Sequence, residues 1–330
     1  MKSFQQTRAM RKFGFIPVSE DENGCIRINL FEPVFLVLLV VRCMFIGAYL
    51  YFVSIYALQQ EMFILNTVLL SINVLASCGT FFYSSLLIAL AAERLGNNTF
   101  TGKSHITLKT FIAIITPQLL YAAGCVLNQL PLFTLDISWV SKCVLSITLI
   151  FVNSLALIDI FLLVSTCYLW VLDFKMKIAE LLNQDKATIQ INNFEKINND
   201  YLSLKHALEP ATFAEFSFVQ LLCVVSVYLA FKGNIYNLLQ FISMLMILVL
   251  MVRVLSDLYE LMEKVADKAE EVGLEQSNLR SMFRYKQMSG KMRRAGLFTG
   301  LGYFTIEFST ITALLATTLT YLIVLLQSNF

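Results

Sequence analysis

Thr320, Val324 and Gln327 share one stripe of the apolar run Thr320-Tyr321-Leu322-Ile323-Val324-Leu325-Leu326-Gln327, because residues three or four apart lie on one helix face. Leu, Ile and Val suit hydrocarbon. A Gln amide there must find a partner or water, since an unsatisfied polar group in lipid is expensive. A stripe that ends in a lone amide suits a water-lined passage or a contact between helices. Two charges, Arg42 and Asp159, also lie inside apolar runs, where ionisable residues usually face a partner or a cavity. Counted from the cytoplasmic ends they sit at depths of about 12 and 18 Å, so they can pair with each other. A structural ion pair is the plainer reading and a functional role the alternative.

Gln118, Tyr121, Asn153, Tyr236 and Gln240 put amides and aromatic rings in the outer halves of three apolar runs, the third, fourth and sixth. A small-molecule pocket needs aromatic walls and a few fixed polar groups, although each residue also suits a hydrogen bond between helices. No Gly-rich phosphate loop, G-x-S-x-G, H-E-x-x-H or recognisable carboxylate pair occurs in the sequence, so it is read as a non-enzyme without cofactor. Cysteines 25, 43, 78, 125, 143, 167 and 223 show no metal spacing, and only His105 and His206 could assist them, which makes a zinc site improbable. Cys125 and Cys143 could pair near the outer surface; free buried thiols are the simpler expectation.

These residues must be positioned by membrane helices. The 330 residues are 57% hydrophobic and 15% charged, with mean hydropathy +0.69, whereas soluble domains hold about 45–50% apolar and about 25% charged residues. Apolar runs at 34–56, 63–92, 107–130, 141–171, 212–232, 235–256 and 300–327 are each long enough to span a bilayer. Pro33 and Pro210 are expected just ahead of the first and fifth spans, and Pro117 inside the third, as a kink. Residues 1–33 contain no apolar run before Pro33, so the first span is expected to act as its own insertion signal.

Lys and Arg gather in the N-terminal segment and in the connections after the second, fourth and sixth runs, among them Arg94, Lys103, Lys175, Lys186, Lys205, Lys264, Arg280 and Arg294. The other side has only Lys142 and Lys232. The positive-inside rule then puts the N-terminus in the cytoplasm and, after seven spans, the C-terminus outside. Asn97-Asn98-Thr99, a formal glycosylation acceptor, would face the cytoplasm and is read as a chance match. Basic loop residues alternate with acids, which disfavours a nucleic-acid surface. In the segment after the sixth span, Leu258, Leu261, Val265, Ala269 and Val272 keep helical spacing. That pattern predicts a bundle below the membrane packed against neighbouring subunits; a solvated extension of the span is the alternative.

Gly302-Tyr303-Phe304-Thr305-Ile306, followed by Thr320-Tyr321, five apolar residues and Gln327, resembles the C-terminal signature of insect gustatory receptors. The close match covers about the last 30 residues and departs from the signature after the Gln, where Ser328 and Asn329 precede Phe330. The resemblance implies an all-α, seven-span, tastant-gated cation channel of the plasma membrane, assembled as a homo- or heterotetramer. Odorant receptors share that fold and remain an alternative, as does a seven-span receptor that signals through cytoplasmic proteins without a pore. It further implies a cytoplasmic segment 1–33, a ligand-binding bundle 34–256 with a cytoplasmic helical loop 173–209, an anchor helix 257–299 and a pore helix 300–330. Thr320, Tyr321, Ile323, Val324 and Gln327 would form pore and gate, and permeating cations would pass the Gln327 amides. The tastant would be a sugar, which wants several amides and an aromatic platform, or a bitter compound, which wants aromatic and aliphatic walls. Gly296, Gly300 and Gly302 are expected at the start of the last span, as a hinge or a close helix contact.

Overall fold

The structure, a computed structural model, describes residues 10–13, 15–20, 26–59, 84–92, 108–127, 138–186, 189–231 and 235–327. Asn97 and the second apolar run before residue 84 lie outside them, as do the side chains of Cys125, Asn153 and Asp159. Helices dominate: α1 (Pro33–Gln59), a helical stretch at 84–92, α2 (Leu108–Leu127), α3 (Trp139–Leu182), α4 (Ile191–Phe231), α5 (Asn237–Leu274), α6 (Leu279–Ala295) and α7 (Phe308–Gln327). Among the described residues three of them, α4, α5 and α7, are long and apolar enough to cross a membrane by length and composition. The chain is thus an all-α, multi-pass membrane protein by its helices. Ahead of α1, strands β1 (Val18–Glu20) and β2 (Ile26–Ile28) pair antiparallel with Val18 opposite Ile28. This small hairpin is absent from the sequence reading. It buries Ile16 and Val18 against the main core, which explains why a mostly polar segment is ordered there.

The long helices outrun the apolar segments that seed them. α3 continues eleven residues past 171 to Leu182, and α4 begins at Ile191, so the stretch 173–209 is largely helical. Pro210 consequently lies inside α4 instead of ahead of it. A proline removes one helical hydrogen bond, here the one that would reach the His206 carbonyl, and packing on both sides carries the helix through. Pro117 lies inside α2, as its position in the third run predicts. Its carbonyl accepts a hydrogen bond from the Ser243 hydroxyl of α5, which ties the two helices at the proline.

α5 is the hub, packing on α2, α3, α4 and α6. The segment 257–299 consists of the lower part of α5, a break at 275–278 and α6, which Asn278 caps by accepting from the Arg280 N–H at 2.9 Å. Leu258, Val265, Ala269 and Val272 are fully buried, joined by Met262 and Ala266, and Leu261 packs at their edge. The stripe is therefore covered within the chain's own bundle, by Phe174, Ile178, Phe194, Tyr285, Met288 and Met292 among others. Ion pairs cross the bundle's flanks: Lys177–Asp200 at 3.0 Å, Lys175–Asp257 at 3.2 Å and Arg293 with Asp267 at 2.7 Å.

Candidate functional site

The start of α7 is built from an unusual connection. α6 ends at Ala295 and is capped by Gly296, which has φ +68°, and residues 297–307 are not helical. Thr299 and Thr305 form an isolated antiparallel bridge, closed by Gly300 N–H to Phe304 O (2.9 Å) and Ile306 N–H to Phe298 O (2.8 Å). Leu301 and Gly302 turn the chain with φ +50° and +80°, a left-handed geometry that Gly adopts at little cost. Gly300 carries the Phe304 ring directly over it, because a Cβ there would stand 2.4 Å from Phe304 Cζ. Gly300 and Gly302 thus lie in a β-bridged turn and Gly296 caps α6, so the cluster expected at the start of the last span precedes the helix, which begins only at Phe308. The last helix opens at Phe308, with Glu307 in front of it, where a carboxylate suits the positive end of the helix dipole.

From there α7 exposes most of its surface. Its apolar window is 22% buried, against 50% in α4 and 44% in α5, so it lies at the margin of the bundle. Ile311, Leu314, Thr318 and Leu322 face inward, and Leu322 packs with Val225 and Tyr228 of α4. The opposite face carries Ser309, Thr312, Ala313, Ala316 and Thr320, then Ile323, Val324 and Gln327, all exposed. Tyr321 is exposed beside them. The Thr320 hydroxyl donates to the Ala316 carbonyl at 2.9 Å, and Thr317 and Thr318 bond back in the same way. Such back-bonding is common for a helical Thr. It does not silence the oxygen, because a hydroxyl that donates its proton along the helix keeps lone pairs for other donors or cations. Small, hydroxyl-bearing turns lead to two apolar side chains and then to an amide: the order of a hydrated path, a constriction and a polar mouth.

Gln118 and Tyr121 of α2 and Gln240 of α5 are all buried, and α2 and α5 pack against each other. At Gly124 the two helices approach so closely that a Cβ would meet Gln240 Cγ at 3.0 Å and the Tyr236 carbonyl at 3.2 Å. The Gln118 amide stands out, since neither its oxygen nor its nitrogen has a hydrogen-bond partner among the described residues. Tyr236 lies at the start of α5, half-buried. Asn153 belongs to α3, but its side chain is outside the description. Arg42 is buried in α1, and a pairing with Asp159 cannot be placed for the same reason. Cys143 is a free thiol.

No protein-family model matches the chain, and no curated protein matches its sequence. Its fold is similar to that of the insect olfactory receptor OR5 from Machilis hrabei, with TM-score 0.63 at 15% identity, over 99% of this chain and 100% of that one. A second structure of that receptor, in complex with eugenol, matches with TM-score 0.62 at 15% identity, over 99% of this chain and 97% of that one. The chain therefore has the fold of an insect olfactory receptor along essentially its whole length.

Proposed function

We propose that the chain is a subunit of a tastant-gated, non-selective cation channel of the plasma membrane, with α7 lining the pore. The single observation that carries this reading is the free face of α7, on which Thr312, Ala316 and Thr320 run into Ile323, Val324 and Gln327. Four such faces around an axis would form a hydroxyl-lined path, a constriction at Ile323 and Val324 that closes by dewetting, and a ring of neutral amides. The likeness to an olfactory receptor fold supports the channel class. The charge distribution supports seven spans with the N-terminus inside. Homo- or heterotetrameric assembly belongs to the same reading.

A ligand between α2, α3 and α5 would find the Gln118 amide ready to donate and accept, with Tyr121, Asn153, Tyr236 and Gln240 as further candidates. Binding would open the pore by favouring an arrangement in which the α7 helices move apart, to the extent that the ligand prefers that arrangement. Taste is favoured by the Gly302-Tyr303-Phe304 lead-in together with Thr320-Tyr321 and Gln327. The olfactory fold neighbours favour a second reading, an odorant-receptor-type subunit of the same architecture.

The test is to express the chain alone, and with a second chemoreceptor subunit, in cells lacking both, and to record currents under sugars, bitter compounds, amino acids and eugenol. A cation current evoked by a sugar or bitter compound, with relative permeabilities changed by Gln327→Ala, is the expected result. Responses confined to volatiles such as eugenol would transfer the chain to the odorant reading. A response that disappears when G-proteins are blocked would overturn the pore and favour a receptor without one.

A further inference from the structure

Along α4, Tyr201, Lys205, Glu209 and Phe213 recur every fourth residue and so share one face. Each holds a point on the connection between α6 and α7. The Tyr201 hydroxyl donates to the Gly296 carbonyl at 2.8 Å, and the Lys205 ammonium donates to the Ala295 carbonyl at 2.7 Å. These carbonyls end α6 and have no donor within their own helix, so α4 supplies the cap from outside, with a cation where the helix dipole favours one. Glu209 accepts a hydrogen bond from the Thr299 hydroxyl. The same hydroxyl oxygen accepts from the Gly302 N–H at 3.2 Å, so this contact and the turn share one atom. Phe213 lies 5.6 Å from the Tyr303 ring and 6.2 Å from that of Phe304. Farther along, Val225 and Tyr228 of α4 cover Leu322. α7 is thus held at both ends by one helix, and Pro210 interrupts that helix's hydrogen bonding directly after Glu209.

We propose that this face of α4 is a positioning rail for α7, and that the Glu209–Thr299 contact sets the tilt of α7 and the balance between closed and open pores. The second half rests on the pore reading of α7; the first does not. Tyr201, Lys205, Glu209 and Phe213 are positioning residues that act through the connection and touch no ligand. Core packing alone would make any loosening general. A rail predicts a local effect that depends on the donor at 299 and the acceptor at 209.

The test uses the full-length protein in liposomes, with hydrogen exchange read by mass spectrometry and sodium flux measured without ligand. The variants are Glu209→Ala, Glu209→Gln, Thr299→Val, Thr299→Ser and the double Glu209→Ala/Thr299→Val. His206→Ala, which removes the exposed neighbour of Glu209 at 3.8 Å, is the control. Loss of one part-buried hydrogen bond should speed exchange across 296–310 by about fivefold in Glu209→Ala and Thr299→Val. Exchange across 258–274 should stay unchanged. Gln and Ser keep an acceptor and a donor and should resemble the parent chain, and the double variant should be no worse than either single. Ligand-free sodium flux should rise in the same order. Equal loosening of 258–274, or no change across 296–310, would overturn the rail. Faster exchange with unaltered flux in a conducting protein would overturn its control of α7. If the parent chain gives no flux with or without sugars and bitter compounds, alone or beside a second subunit, the pore reading fails, and the exchange pattern alone decides the rail.

Discussion

Replacing three glycines one at a time should separate a steric clash, a backbone strain and a vacant site within one molecule. At Gly300 an added Cβ would stand 2.4, 2.6 and 2.9 Å from Cζ, Cε1 and Cε2 of Phe304. Carbon atoms prefer about 3.5–4.0 Å, so the ring would have to retreat by roughly 1 Å. Behind it lie Phe216 at 5.6 Å and Phe213 at 6.2 Å, and the Phe304 backbone is held by the Gly300 N–H. Overpacking of this kind costs about 1–3 kcal/mol, and the two ring pairs, disturbed only in part, together about 1 kcal/mol, which gives about 2–4 kcal/mol for Gly300→Ala. Gly302 has open space around it but φ +80°, so Gly302→Ala should cost only the left-handed backbone term, about 1–2 kcal/mol. Gly47 lies in α1 with nothing within 4 Å, and Gly47→Ala should gain up to about 1 kcal/mol of helix propensity. At on the order of 2 °C per kcal/mol for a chain of this size, the apparent Tm should fall by about 4–8 °C, fall by about 2–4 °C, and rise slightly. Heating the detergent-solubilised protein and measuring the fraction that stays monodisperse checks the order. A Gly300→Ala protein as stable as Gly302→Ala would refute the packing of Phe304 over residue 300.

Two further outcomes concern the helical bundle built by 173–209 and 257–295. The Lys177–Asp200 pair is mostly shielded, with side chains 17% and 12% exposed, whereas Arg293 and Asp267 are 52% and 61% exposed. Asp200→Ala should therefore cost about 2 kcal/mol and Arg293→Ala no more than about 1 kcal/mol, as read by thermal inactivation; equal effects would contradict the burial argument. Burial pushes the Tyr201 phenol well above its ordinary value of 10.0, with nearby Tyr259 and Glu209 adding to the rise. The folded chain therefore holds that proton more tightly than the unfolded chain. Its contribution is full below pH 10 and is lost as pH rises above it. Tyr285 and Tyr259 shift in the same direction. Stability measured between about pH 8 and 11 should fall at the alkaline end, and Tyr201→Phe should make that fall shallower.

The apolar runs and the stripe at Leu258, Val265, Ala269 and Val272 were readable from spacing alone, because period and burial are local properties of a helix. The ends of those runs were not. α3 and α4 continue where hydropathy falls, since charged residues such as Lys177 and Asp200 find each other across the bundle. Pro210 looked like a boundary because a helix usually stops there; packing on both sides decided otherwise. Three glycines between 296 and 302 did signal a turn, and reading them inside a span set the start of the last helix eight residues early. The lone Gln327 was legible as an oddity, and its exposure beside Val324 is consistent with either choice posed by the stripe. Gln118 could be named from sequence, but its lack of a partner among the described residues needed coordinates. The α4 face was invisible for another reason: Tyr201, Lys205 and Glu209 bond to residues 90 to 95 positions later, a distance that no local pattern spans.

That separation also orders events during synthesis. When the ribosome finishes α4, the groups that will occupy its Tyr201-to-Phe213 face have not been made, and α5 and α6 must emerge first. α4 therefore enters the membrane with a row of polar and aromatic groups waiting for a segment about 90 residues behind. The last helix cannot take its place until the turn at 297–307 has closed on that row. A nascent chain stalled before residue 297 lacks the partners of Glu209 and Phe213 on this face, and a completed one supplies them. The contacts that hold α7 in the finished molecule therefore form only after the connection at 297–307 has been synthesised.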